Sequence, residues 1–221
     1  MARKKNPEET VKNILSTALK LFKEKGYEQT NILDIVNTMG VSRGAFYHHF
    51  KSKEEVLFAL FETKENKAKQ LEIYNNPDLT GLEKMQKIVF FEHWDQKNIE
   101  EDTLLLNIWI DLLSDPRMLH EHIKDSHATN TCWLTTLVEE AINDGSIKKQ
   151  DSKTLTELIL LLVNIWSIPT IYPSLNLEEY HKKILMIKDI LDGLGCPLID
   201  DEIIQLFDQL GKVYVEHHSE I

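Results

Sequence analysis

Val11, Ile14, Leu15, Ala18, Leu19 and Phe22 recur every three or four residues with polar residues between them, the spacing of a helix with one apolar stripe. Asn6 can cap this helix, Pro7 suits its first position, and Glu9 stands where it can reach back to complete a capping box. Gly26 is placed to end it. A second, short helix follows with Ile32, Ile35, Val36 and Met39 inward, capped by Thr30 or Asn31 and closed by Gly40. Ser42 opens a third over residues 43–49, and Ser52-Lys53-Glu54-Glu55 reads as the capping box of a fourth. Val56, Leu57, Leu60 and Phe61 carry that fourth helix on towards Tyr74, where Asn75-Asn76-Pro77 stops it.

Beyond Pro77 the pattern predicts helices near 80–97, 102–113, 117–143, 152–168, 177–193 and 200–216, separated by short polar breaks. Strand signals are nearly absent, so the expected class is all-α. The expected division is a three-helix domain over 1–62 and a larger helical domain over 63–221, with the boundary inside a shared fourth helix.

Charge changes this picture more than composition does. At 42% hydrophobic and 28% charged residues, the chain has the make-up of a globular protein able to bury a core. The net charge of −11 argues at first against nucleic acid. Residues 1–53, however, hold ten Lys/Arg against five Asp/Glu, so all the excess acid lies in the remainder. A basic head on an acidic body attracts phosphate with one end only. The longest strongly apolar run, Leu158 to Val163, is too short to span a bilayer, and no apolar stretch follows the basic N-terminal residues. A cytoplasmic protein without a membrane role is expected. Cys132 and Cys196 stand in no metal-ligand spacing and read as small hydrophobes.

The candidate chemistry lies around residues 40–53. Two helices joined by a tight turn at Gly40-Val41, with a third packed behind, form the arrangement that lays a helix in the DNA major groove. Phe46 and Phe50, four apart, can anchor the reading helix to the core. The opposite face offers Ser42, Arg43, Tyr47 and His48, with Gly44 and Ala45 small enough for close approach of the duplex. Arg43 can bond a guanine edge or a phosphate, and Tyr47 a phosphate. Lys53 begins the fourth helix, where its charge and the helix dipole both favour a phosphate.

Gly26-Tyr27-x-x-Thr30, Ile35-Val36 and the run from Gly40 through Tyr47-His48-His49-Phe50-Lys51-Ser52-Lys53 to Leu57 closely resemble the TetR (tetracycline-repressor-like) family over residues 8–62. The resemblance implies an all-helical homodimer with an N-terminal DNA-binding domain and a divergent C-terminal ligand-binding and dimerisation domain. By position it implies DNA contacts at Thr30, Asn31, Ser42, Arg43, Gly44, Tyr47, His48 and Lys53, and His49 matches the motif histidine. Position 48 is often a second aromatic or another polar residue in the family, and here it is His.

The acidic body carries fewer signals. Residues 151–168 and 177–194 are apolar over more than one face, which suits helices buried on two sides, either in a dimer interface or in a monomer core. The resemblance favours the dimer. Phe90, Phe91, Trp94, Trp109, Trp133 and Trp166, with polar His93, Asn107, His120 and Asn164, are either core packing or candidate lining for a pocket taking an apolar, amphipathic or cationic aromatic molecule. His120, His122 and His127 are not spaced to chelate one ion and read as exposed histidines, so no metal and no cofactor are expected. No nucleotide loop, nucleophile elbow or metalloprotease motif is present. The expected function is therefore a non-enzymatic regulator, a repressor released from operator DNA by an unidentified small molecule. A ligand-independent or architectural DNA-binding factor is the alternative, and an enzyme a more distant one.

Overall fold

In a computed structural model, the structure describes residues 7–61, 64–91, 99–125 and 131–218. Those residues form helices and no strand, and they fall into two compact units, Met1–Lys67 and Ala68–Ile221.

The N-terminal unit begins with α1 (Pro7–Lys25), followed by α2 (Ile32–Met39), α3 (Arg43–Tyr47) and α4 (Lys53–Phe61). Helix α1 packs on α2 and α4 through Ile14, Ala18, Leu21 and Phe22. The stripe is rotated slightly from the expected one: Leu21 is buried, whereas Val11, Leu15 and Leu19 are only half-buried. Ile35, Val36, Phe46, Val56 and Leu57 complete this small core. Gly26 and Gly40 both take left-handed φ values, 82° and 64°, that a side chain would strain. They set the two sharp reversals that bring α1, α2 and α3 together.

Capping is resolved by who bonds whom. Asn31, not Thr30, caps α2: its side chain accepts from the Asp34 N–H, and the Asp34 carboxylate accepts from the Asn31 N–H. At α4 the Ser52 hydroxyl accepts from the Glu55 N–H, but Glu55 reaches back to the N–H of Lys51 instead of that of Ser52. The expected cap at Asn6 lies outside the described residues.

The C-terminal unit contains most of α5 (Lys64–Tyr74), then α6 (Gly81–Phe91), α7 (Ile99–Leu112), α8 (Pro116–Asp125), α9 (Thr131–Asp144), α10 (Ser152–Leu161), α11 (Leu177–Gly193) and α12 (Asp201–His218). The span expected as one helix over 117–143 holds α8 and α9, with 126–130 outside the described residues. Helices α6 and α9 meet closely at Gly81, where a Cβ would lie 2.7 Å from the Leu137 carbonyl oxygen and nearer still to the Ala141 backbone nitrogen. Asp144 and Ser146 accept from the Gly81 and Leu82 N–H groups, satisfying donors that the start of α6 cannot pair internally.

Helix α10 runs into one π turn, Leu162–Trp166, in which the Ser167 N–H reaches back five residues to the Leu162 carbonyl. Leu162 and Ile187 are buried in the core of this unit with Ile159, Ile184 and Leu191. The outward apolar side chains of the same two helices are Leu161, Leu185 and Met186. Amphipathic α12 packs on α11 and α7, burying Ile203, Leu206 and Phe207. Among the described residues, no helix is long and apolar enough to cross a membrane.

Candidate functional site

Helix α3 is five residues long, too short to persist in water by its own hydrogen bonds. Its position comes from its ends and its underside. Ser42 caps it by accepting from the Ala45 N–H at 3.2 Å. Phe46 is fully buried and packs on Phe50 with 6.1 Å between ring centres. What remains outward is the expected set: Ser42, Arg43, Gly44, Tyr47 and His48 are exposed, Tyr47 by 51%, while Ala45 and His49 are half-buried. The Tyr47 ring rests edge-on against Phe46, 5.7 Å between centres, and His48 and His49 meet edge-on at 5.0 Å. Exposed Asn31 stands at the N-terminus of α2, where amide dipoles favour an anion.

Two residues depart from this set. Thr30 is buried, 1% exposed, and its hydroxyl donates to the carbonyls of Gly26 (2.8 Å) and Leu21 (3.3 Å). Its side chain ties the α1–α2 turn to α1 and is not presented to a duplex, although the family resemblance implied a DNA contact at this position. Lys53 is half-buried, its ammonium donating to the Tyr27 carbonyl at 2.6 Å and lying 3.8 Å from the centre of the Tyr27 ring. Burial holds the Lys53 ammonium below the usual lysine range, against the opposing effect of the Glu28 and Glu54 carboxylates. Burial pushes the Tyr27 phenol up, with Glu54 and Glu28 adding to it. Lys53 therefore fastens α4 to the turn after α1, a role visible only once Tyr27 and Lys53 are brought together.

The model of the tetR family of bacterial regulatory proteins matches residues 14–60, the stretch that forms α1 to α4. Over these residues the chain is similar to the TetR family of transcriptional regulators. Likeness extends well beyond the matched stretch. The transposon Tn10 TetC protein of Escherichia coli is 28% identical over 192 residues, covering 82% of this chain and 88% of that protein. The biofilm operon icaADBC negative transcriptional regulator IcaR of Staphylococcus epidermidis is 27% identical over 155 residues, covering 69% of this chain and 80% of its own. A solved TetR/AcrR-family regulator from Thermobifida fusca shares the fold with a TM-score of 0.50 and 24% identity, over 83% of this chain and 97% of that one.

Within the C-terminal unit, the described residues expected to line a pocket are brought together only in part. His93 and Trp94 lie outside the described residues. Trp133 and Trp166 pack half-buried against the core. Asn107 is half-buried, with its side-chain oxygen buried and unpartnered among the described residues. Among the described residues, Trp109 and Asn164 line one cavity, a space of about 230 Å³ between α7, the π turn, α11 and α12. Tyr180, Phe207 and Tyr214 face it with Trp109, and His122 stands at its polar edge. His122 is not the exposed histidine expected: it is half-buried, hydrogen-bonded through Nε2 to the Asn164 carbonyl at 3.2 Å, with its ring 5.3 Å from that of Trp109. The α12 wall was missed although its signal was available, since Ile203, Leu206, Phe207, Leu210 and Tyr214 follow helical spacing. No metal-binding group of three His, Cys, Asp or Glu occurs among the described residues.

Proposed function

We propose that this chain is a dimeric repressor of the TetR family that reads its operator with α3 and leaves it when a small molecule binds the C-terminal unit. The observation that carries the DNA reading is the split of α3 into a buried Phe46-Phe50 underside and an outward Arg43, Gly44, Tyr47 and His48. Such an arrangement holds the outward groups rigidly at the spacing a major groove accepts. Family regulators bind operator DNA as dimers, and two half-sites one helical turn apart need two copies of α3. The outward Leu161 of α10 and Leu185 and Met186 of α11 support a dimer built on residues 151–168 and 177–194. IcaR is described as a negative regulator, which favours repression here.

Release follows if the molecule has a higher affinity for a dimer geometry in which the two α3 helices no longer match successive grooves. Selection of bound DNA from a random pool, followed by titration of the selected duplex, tests the central claim. Protection of a two-fold symmetric site, lost in Arg43→Ala while the protein melts normally, is the expected result. Equal affinity for all duplexes would replace a sequence-reading repressor with an architectural factor.

A further inference from the structure

The cavity between α7 and α12 has a definite chemical character. Four aromatic side chains, Trp109, Tyr180, Phe207 and Tyr214, share its walls with aliphatic ones, and among the described residues no Lys, Arg, Asp or Glu lines it. A charged molecule would lose its hydration there without gaining a counter-ion. The polar atoms at the edge are engaged with one another: His122 with the Asn164 carbonyl, and the Ser167 hydroxyl as donor to the Val163 carbonyl. The nearest acids act at a distance. Burial first, and then Asp208 and Asp111 respectively, raises the Tyr180 and Tyr214 phenols, so both stay protonated and the local field opposes an anion. Asp208 is itself paired with His181 at 2.7 Å, which leaves it poorly placed to balance a bound cation.

Size and shape narrow the class. A volume of about 230 Å³ has room for a compact one- or two-ring molecule. The π turn contributes Val163 and Asn164 to the wall, and such turns in helices are frequent at functional sites.

We propose that this cavity is a binding site for an uncharged, flat, one- or two-ring aromatic molecule, held between α7 and α12. That such a molecule is the inducer rests on the ligand-release reading above; that it binds here does not.

Three probes that share one ring system separate the possibilities on the full chain by calorimetry and thermal melting: 2-naphthol, 2-naphthoate and 2-naphthyltrimethylammonium. The expected result is saturable binding of one 2-naphthol per chain with a raised melting temperature, and affinities at least about tenfold weaker for both ions. Leu210→Trp, which fills the cavity from α12, should abolish that binding. If it does not fold, Val163→Phe from the opposite wall serves the same purpose. Absence of 2-naphthol binding, equal or tighter binding of either ion, or full binding by a folded cavity-filled variant each overturns the proposal. Binding that meets every expectation yet leaves affinity for the selected operator unchanged supports the site and overturns release by this ligand class.

Discussion

Gly211 on α12 lies against the ring of Tyr180 on α11, so close that a Cβ at 211 would stand 2.8 Å from Cε1 of Tyr180 and nearer still to Cδ1. Tyr180 is buried, lines the cavity and cannot turn freely aside. Gly211→Ala should therefore destabilise the C-terminal unit by about 1–3 kcal/mol through overpacking, despite the ~1 kcal/mol that Ala ordinarily gains over Gly in a helix. Thermal melts of Gly211→Ala, Tyr180→Leu and the double variant check this. The double variant should recover part of the loss; strict additivity would mean that the two residues do not press on each other.

Gly44 makes the opposite case. A Cβ there would meet only the Ser42 Oγ, at an ordinary 3.9 Å. Gly44→Ala should fold at least as stably as the natural protein, yet bind operator more weakly, because the added methyl would occupy space the duplex needs. Paired melting and DNA titration should move in opposite directions. Unchanged operator affinity would show that the α3 backbone stays clear of the bases and phosphates.

Arg43 and Lys53 should separate as cleanly. Arg43→Ala should leave the melting temperature alone and cost about 1–3 kcal/mol of operator affinity per base contact. Lys53→Ala should lower the melting temperature, since it removes a hydrogen bond to the Tyr27 carbonyl and a cation held over the Tyr27 ring. A Lys53→Ala protein that melts normally but shows a shallower salt dependence would return Lys53 to the set of phosphate contacts.

For the dimer, Leu161→Glu with Met186→Glu should yield folded monomers by sedimentation, because both side chains are about half exposed in the single chain, 53% and 52%. Ile187→Glu should instead unfold the chain, as it buries an unpaired charge in the core. A stable dimer from the Leu161, Met186 pair would move the interface elsewhere.

Acid should loosen the start of α2. The Asn31 N–H, and then Lys25, hold the Asp34 carboxyl below the usual carboxylate range. The contribution of Asp34 is thus complete above about pH 4, the ordinary unfolded value, and fades as pH falls through the lower folded value. Asp34→Asn should flatten that part of the stability profile; a profile identical to that of the natural protein would assign the acid sensitivity to other groups.

Local signals carried the N-terminal unit far. Gly26, Gly40 and Ser42 each act within a few residues of themselves, so their roles could be read from type and spacing. Thr30 and Lys53 could not, because the atoms that decide them, the Leu21 and Tyr27 carbonyls, lie nine and 26 residues away. The body posed a different difficulty. Where a helix is apolar on several sides, periodicity does not say which side faces in, and so Leu162 and Ile187 look no different from Leu161 and Met186. His120 and His122 point to different sides of one helix; only the first proved exposed. The cavity was hidden because its walls come from residues up to about a hundred positions apart, and a pocket leaves no periodic trace.

The division of labour within α3 bears on how such a regulator changes its target. Phe46, Phe50 and the Ser42 cap hold the helix, while Arg43, Tyr47 and His48 add little to that hold. Substitutions at those three outward positions are therefore nearly free of folding cost. If α3 reads the operator as proposed, one copy can drift to a new operator after a duplication in single steps, each intermediate still folded. A designer retargeting the protein inherits the same freedom: three positions to randomise, on a scaffold that need not be rebuilt.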